Sequence, residues 1–140
     1  MNKKSAKPVA QEDAMGCGIA CVAFVCGTSY GRTRKYFDKP CNAWSAGYWC
    51  KDIVHAFARV GKIYAWRRLR RRTAYPEGSI VFIARSKRYR MGHYLARVGR
   101  DWMDPWMNFP SIKNVRAGFR RRLPGRTVYL IYPKSASALK

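Results

Sequence analysis

The sequence predicts an α+β fold in which helices pack against an antiparallel sheet, and three observations point to it. The chain has 140 residues, of which 48% are hydrophobic, so it can bury one substantial core in a single domain. Its first half carries helical patterns. Its second half carries short segments rich in β-branched and aromatic residues. Helices followed by a run of strands are typical of α+β domains.

Two helices are predicted in the first half. The first covers residues 17–26, where almost every residue is apolar, and Gly27 is expected to end it. A helix that is apolar all round is normally buried at the centre of its domain. The second is predicted over residues 45–60, with Ser45 as its N-cap and Gly61 just past its end. We expect its apolar face to pack on the core.

Five segments of the second half are predicted to be strands, because they are short, rich in β-branched and aromatic residues, and separated by Pro or Gly. They are residues 62–69, 79–84, 93–98, 102–106 and 127–132. The polar ends of the chain, residues 1–10 and 135–140, are predicted to be flexible tails. The folded domain is therefore expected to span residues 11–134.

The chain is strongly basic, with 29 Lys and Arg against 7 Asp and Glu, for a net charge of +22. Such a charge attracts polyanions, and the planar guanidinium of arginine suits phosphate. Aromatic residues between the basic clusters could stack on bases. Nucleic acid is therefore an open alternative partner, alongside a solvated surface that only serves solubility. The basic clusters include Arg67-Arg68, Arg70-Arg71-Arg72, Arg85, Arg88, Arg90 and Arg120-Arg121-Arg122.

The five cysteines cannot all pair, and no secretory segment precedes them, so we expect a reducing cytoplasm. The apolar runs are much shorter than the roughly 20 residues of a membrane-spanning helix, and no span is predicted. Cys41, Cys50 and His55 lack the ligand spacing of structural zinc sites. No metal or other cofactor is therefore expected, and the sequence leaves the oligomeric state open.

Cys17 is the candidate nucleophile because it begins the buried helix and is flanked by Gly16 and Gly18. Unpaired N–H groups and a partial positive charge at a helix N-terminus favour a thiolate over a thiol. The two glycines are expected to let a substrate backbone approach closely, while the Cys17 N–H could donate to an oxyanion. Gln11 could supply the second donor through its side-chain amide. The alternative is that Cys17 is a small buried apolar residue, as we expect for Cys21 and Cys26.

A thiolate nucleophile needs a base, and the chain has two histidines. His55 lies within the second predicted helix between Val54 and Ala56, where a packed or half-exposed residue is the common case. His93 instead opens a predicted strand, directly after Gly92. We therefore expect His93 to be the base.

The length of the turn after that strand decides which aspartate can orient His93. If Gly99-Arg100 is a two-residue hairpin loop, Val98 faces Asp101 and Leu95 faces Asp104. Asp104 then shares a face with His93, at a diagonal backbone distance of roughly 7–8 Å that two side chains can close. A three-residue loop would reverse this parity, so the geometry depends on the turn.

Four motifs resemble, in order, those of the papain-like cysteine peptidases that cleave double-glycine leader peptides from bacteriocin precursors. They are Gln11, Cys17-Gly18-Ile19-Ala20, Gly92-His93-Tyr94 and Asp104-Pro105. The resemblance implies an α+β papain-like fold whose central buried helix carries the cysteine and packs on an antiparallel sheet.

For the site, the resemblance implies that Cys17 is the nucleophile, His93 the base and Asp104 the orienting acid, with Gln11 at the oxyanion hole. It also implies a peptide or protein substrate. Amidase, deamidase and transamidase chemistry use the same machinery and remain open. The competing hypothesis is a basic nucleic-acid-binding protein on an inactive or repurposed papain-like scaffold.

Overall fold

The computed structural model of the chain describes residues 7–70 and 73–134. Most of both predicted tails, residues 1–6 and 135–140, lies outside the described residues, as do Arg71 and Arg72. Val9, in the first predicted tail, packs against the main hydrophobic core.

Four helices and six strands make up the described part of the chain. The helices are α1 (Cys17–Cys26), α2 (Tyr30–Arg34), α3 (Asn42–Ser45) and α4 (Cys50–Arg59). The strands are β1 (Tyr64–Arg68), β2 (Ile80–Ile83), β3 (His93–Val98), β4 (Asp101–Asp104), β5 (Gly118–Arg120) and β6 (Thr127–Pro133).

The strands form one sheet in the order β1-β6-β2-β3-β4-β5, and every neighbouring pair is antiparallel. Helices come first in the chain and strands afterwards, so the predicted α+β class is confirmed.

The first helix is buried, as its uniformly apolar sequence predicts. Residues from Gly18 to Phe24 are all buried, and α1 packs on β3 and against α2 and α4. Gly27 ends the helix in the left-handed region, at φ 68°, and its N–H donates to the carbonyl of Phe24. Glycine adopts this conformation without the steric cost that a Cβ brings. The helix therefore ends where the sequence predicted.

The prediction of a second helix over residues 45–60 is wrong in its first part. The chain there forms the short α3, turns at Gly47 with φ 73°, and starts α4 only at Cys50. The backbone N–H of Trp49 donates to the Asp52 carboxylate at 2.8 Å, which caps the new start. Ser45 is therefore the last residue of α3 and not an N-cap. The helical period hid this break because it carries no information about backbone conformation at Gly47.

The β3–β4 hairpin has the predicted two-residue loop. Val98 pairs with Asp101 and Ala96 with Met103, with Gly99 at φ 59° in the turn. The strand after the loop ends at Asp104, not at Trp106 as predicted, because Pro105 has no N–H to continue the ladder. The short elements α2 and β5 are not predicted from the sequence.

Both faces of the sheet are covered. Alternate residues point to opposite faces, so each strand contributes to two clusters. The helix-side cluster includes Ile80, Tyr94, Ala96, Met103 and Ile131. The opposite cluster includes Val81, Ile83, Leu95, Trp102 and Leu130, and Tyr89 and Phe109 from the loops pack with it. His93 and Asp104 lie on this second face by register, because His93 pairs with Ile83 and alternates with Leu95.

Within the described ranges, no helix has the length and apolar character needed to cross a membrane.

Candidate active site

The loop before α1 is fixed by Asp13. Its carboxylate accepts hydrogen bonds from the Tyr30 hydroxyl at 2.6 Å and from the Trp44 indole at 2.9 Å. Its backbone carbonyl accepts from the Gly16 N–H at 3.0 Å. Burial, followed by the bond to Asp13, raises the pKa of Tyr30 well above its ordinary value. These contacts join the loop to α2 and α3 and hold Cys17 at the first position of α1.

The two glycines beside Cys17 have a role other than the predicted one. A Cβ on Gly16 would overlap the Tyr30 hydroxyl, and one on Gly18 would lie 3.3 Å from the Ile53 side chain. Both glycines are buried. The expectation that they admit a substrate backbone is therefore wrong, because they admit neighbouring side chains of the same chain.

Gln11 is buried, with 3% of its surface exposed, and its amide closes the loop. Its Nε2 donates to the carbonyls of Asp13 at 3.0 Å and Ala14 at 3.1 Å. Its backbone N–H donates to the Pro105 carbonyl at 3.3 Å, which ties the loop to the end of β4. Its Oε1 is buried and meets no hydrogen-bond donor among the described residues. Both amide hydrogens are thus engaged with backbone carbonyls in this structure.

His93 and Asp104 form a buried pair on the second face of the sheet. His93 Nε2 lies 2.8 Å from Asp104 Oδ1, with His93 4% exposed and Asp104 fully buried. The Tyr89 ring stacks on the imidazole at 4.7 Å, with 3° between the planes. Because Nε2 is held by Asp104, Nδ1 is the ring nitrogen left to face Cys17. His93 and Asp104, which were predicted to lie diagonally across the two strands, are therefore joined by a direct hydrogen bond.

Two further donors reach the Asp104 carboxylate. The Trp106 N–H donates to Oδ1 at 2.9 Å, and Arg120 Nε donates to Oδ2 at 2.6 Å. The sequence does not predict Arg120 at the site, because Arg120 belongs to a cluster of three arginines that suits polyanions equally well. It arrives through pairing of β5 with β4, which sets Gly118 opposite Asp104 and Arg120 opposite Trp102.

The charges at the site follow from these contacts. Burial, the largest influence, works to lower the pKa of His93, but hydrogen bonds to Asp104 and Cys17 outweigh it and raise the pKa to about 9. Burial likewise works to raise the pKa of Asp104, but His93, Arg120 and the Trp106 N–H bring it down to about 2. At neutral pH the pair is therefore imidazolium and carboxylate.

Cys17, His93 and Gln11 open into one cavity of about 430 Å³. Its walls are mainly apolar and aromatic, and its basic residues come from the loop between β2 and β3. The full lining is Gln11, Ala14, Met15, Cys17, Lys87, Arg88, Tyr89, Arg90, Met91, Gly92, His93, Trp106, Phe109 and Pro110. No carboxylate is among the residues of this lining, so the cavity is positively charged.

The remaining candidates lie elsewhere. Asp101 pairs with Val98, which belongs to the helix-side cluster, so it faces away from His93. His55 is exposed on α4 and lines a separate depression beside Trp49 and Asp52. In residues 7–70 and 73–134, no group of three or more His, Cys, Asp or Glu is arranged to hold a metal ion. All five cysteines are free thiols.

Comparison with solved structures supplies the fold family. The chain is similar to the peptidase domain of Streptococcus ComA, a bi-functional ABC transporter involved in a quorum-sensing pathway, with a TM-score of 0.52 and 23% identity. The match covers 91% of this chain and 97% of that domain. The chain has the fold of a papain-like peptidase domain. The papain-like fold expected from the sequence motifs is confirmed. No protein-family model matches the chain, and comparison with well-characterised proteins finds no similar sequence.

Thiol reactivity tests the arrangement around Cys17. We expect brief iodoacetamide treatment at pH 6 to label Cys17 faster than Cys41, although Cys17 is half-buried and Cys41 is exposed. The reason is that a cysteine at a helix N-terminus beside a positively charged histidine reacts faster with alkylating reagents than one without such neighbours. Cys21 and Cys26 should stay unlabelled, because burial raises the pKa of both thiols. Peptide mapping measures the rates. Labelling of Cys17 no faster than Cys41 would contradict the arrangement.

The charge on His93 predicts a pH dependence of stability. Its pKa is about 9 in the folded chain against 6.5 for the free side chain. The pairing therefore stabilises the fold fully below pH 6.5, and this contribution is lost as the pH rises through about 9. The loss is on the order of 3 kcal/mol.

Denaturant unfolding from pH 6 to 10 measures this loss. We expect His93→Gln to flatten the decline in the free energy of unfolding, whereas His55→Gln, at an exposed position, should leave it unchanged. An equal decline in His93→Gln and the parent chain would contradict the assignment.

Proposed function

We propose that the chain is a cysteine peptidase, with Cys17 as nucleophile, His93 as acid and base, and Asp104 as the group that orients His93. The observation that carries the proposal is the buried His93–Asp104 pair, whose His93 lines the same cavity as a cysteine at a helix N-terminus. Nucleophile, base and orienting acid within contact of one another form the constellation used in acyl transfer. The likeness to a peptidase domain supports the same reaction class.

The reaction begins from thiolate and imidazolium. The Cys17 sulfur attacks the carbonyl carbon of a peptide bond, a C–S bond forms, and the carbonyl π electrons move to oxygen. As the oxygen re-forms its double bond, the C–N bond breaks and His93 Nδ1 gives its proton to the leaving amine. Water then attacks the acyl-enzyme while His93 takes one of its protons. The C–S bond then breaks as the carbonyl re-forms, so release of the carboxylic acid restores the thiolate and imidazolium.

The oxyanion that forms during the reaction needs hydrogen-bond donors near the N-terminus of α1. Cys17 is the first residue of the helix, where the helix itself offers no carbonyl for the N–H. Gln11 lines the same cavity, and we assign its amide as the second donor. Because both Nε2 hydrogens now bond Asp13 and Ala14, one of these bonds must be exchanged for the oxyanion. A donor released only when charge develops would stabilise the transition state more than the substrate.

Graded substitutions test the mechanism. Cys17→Ala and His93→Ala should abolish activity, and Cys17→Ser should be nearly as damaging because an alcohol is far harder to ionise. Asp104→Asn keeps a hydrogen bond but loses the charge, so a large loss with residual activity is expected. Gln11→Ala should lower kcat by about 10²–10³ with little change in KM.

The assay is digestion of a defined peptide mixture followed by mass spectrometry, with trapping by a peptidyl acyloxymethyl ketone as a second readout. Asp101→Asn is the matched control, because Asp101 lies on the opposite face of the same hairpin. Equal losses in Asp101→Asn and Asp104→Asn would reassign the orienting acid. Trapping of the five site variants at the rate of the parent chain would exclude the peptidase. New N-termini among the products indicate peptidase action, whereas ammonia release or joined peptides indicate deamidase, amidase or transamidase action.

A second function, nucleic-acid binding, is favoured by one edge of the sheet. β1 is an edge strand, and it presents an exposed Trp66, 46% accessible, beside the exposed Arg67 and Arg68. Arginines beside an exposed aromatic ring suit the phosphates and bases of a single strand. The edge lies at the far end of the sheet from β4 and β5, so this binding is compatible with peptidase activity.

Salt titration tests this second function. We expect the affinity for single-stranded DNA to fall steeply with salt, and replacement of Arg67, Arg68 and Arg70 by Gln to reduce the slope of log affinity against log salt by up to about 2. Replacement of the exposed Arg85, Arg100 and Arg116 by Gln removes the same charge elsewhere and is the control. Equal reductions in slope would exclude a site at β1. An absence of binding at low salt would exclude the function.

A further inference from the structure

We propose that Arg120 is a positioning residue of the site: it holds Asp104 in the orientation that His93 requires and shares the negative charge of that carboxylate with His93. The catalytic consequence rests on the proposed peptidase function. The linkage from Arg120 through Asp104 to His93 does not, because it follows from contacts that the structure contains.

The contacts are short and buried. Arg120 Nε lies 2.6 Å from Asp104 Oδ2, while Oδ1 lies 2.8 Å from His93 Nε2 and accepts the Trp106 N–H at 2.9 Å. Asp104 is fully buried, and the Arg120 side chain is 20% exposed. Each carboxylate oxygen is therefore held separately, one by Arg120 and the other by His93 and Trp106. Rotation of the carboxylate away from His93 would break the bond to Arg120 as well.

The sheet sets the position of Arg120. Register pairing puts Arg120 opposite Trp102, and alternation puts Trp102 on the same face as Asp104. Arg120 therefore approaches Asp104 along the diagonal, as His93 does from the other neighbouring strand. The next residue, Arg121, lies just past the end of β5 and is exposed, so its charge is not part of the buried pair. Arg120 thus differs from its neighbours in the same basic cluster.

Sharing the carboxylate has an electrostatic consequence. A carboxylate that also bonds a guanidinium stabilises an imidazolium less than one that bonds the imidazolium alone, and the two cations repel each other. The other ionisable groups that face His93 are Cys17 from α1 and Tyr89 from the β2–β3 loop, whose Lys87, Arg88 and Arg90 line the cavity. Of these groups, Tyr89 also interacts with Arg120, whose charge works against the burial that raises the pKa of Tyr89 above its ordinary value. Because Tyr89 with a raised pKa stays neutral while His93 titrates, it adds no charge of its own, and a change in the His93 midpoint reports on the link through Asp104.

The experiment is an NMR titration of the two histidines in the full chain with Arg120→Gln. We expect the His93 midpoint to rise by at least about half a pH unit, because a repelling charge is removed. The exposed His55 should not move, and Arg121→Gln, which makes the same charge change at the exposed next residue, should leave both midpoints unchanged. Arg120→Lys keeps the charge and should restore the His93 midpoint. An unchanged His93 midpoint in folded Arg120→Gln overturns the proposal. A fall overturns the shared charge and supports the positioning role, because it reports that Asp104 has turned away from His93.

Kinetics of the same variants test the catalytic consequence. We expect Arg120→Gln to lower kcat about 10-fold to 100-fold with KM unchanged. The alkaline limb of the variant's pH–kcat profile should move to higher pH together with the His93 midpoint. If Arg120 had a merely structural role, its replacement would lower the melting temperature without moving the alkaline limb or the His93 midpoint.

Two further arms keep the outcome decisive. Should Arg120→Gln fail to fold, Arg120→Lys carries the test, since it keeps the charge and alters the Nε–H bond: unchanged kcat there overturns the positioning role. Should the parent chain cleave no peptide, the peptidase proposal fails while the titration still decides the Arg120 linkage.

Discussion

The structure depends on one buried anion, the carboxylate of Asp104. A carboxylate without solvent is costly unless it is paired and hydrogen-bonded. Its partners come from three separate places: His93 on β3, the Trp106 N–H in the turn after β4, and Arg120 on β5. A slip of one residue in either strand pairing would turn a partner to the other face. The need to satisfy one side chain therefore constrains the register of three strands, and the same constraint orients His93.

The site joins two layers of the fold. Cys17 belongs to the helix layer on one side of the sheet, whereas His93 and Asp104 belong to the opposite face by register. The two meet where β3 begins, because α1 packs on β3 and places its first residue at that end. The loop of Gln11 and Asp13 spans the gap, since Asp13 bonds the helix layer and the Gln11 N–H bonds the Pro105 carbonyl after β4. Neither layer alone contains all three of Cys17, His93 and Asp104.

The sequence predicts what local rules determine. Turn length fixes parity in the β3–β4 hairpin, so the face of Asp104 could be derived from two residues, and helix burial follows from composition alone. Arg120 could not be derived in this way, because β5 pairs with β4 after a long connection and the arginine resembles its neighbours in a basic cluster. The helix break at Gly47 and the packing of Gly16 against Tyr30 are also not predicted from the sequence. A helical period or a short motif contains no information about tertiary neighbours.

The few acidic residues explain why the excess charge and the site can serve different purposes. Asp13 fixes the loop before Cys17, Asp52 caps α4, Glu77 accepts from the Gly99 turn, and Asp104 completes the site. With acids committed to local structure, most of the +22 charge is left on exposed Lys and Arg side chains. Exposed charges are screened within about 8 Å at physiological salt, whereas the bond from Arg120 to buried Asp104 is screened far less. Salt should therefore act on the approach of charged partners to this surface and leave the His93–Asp104 pair ionised.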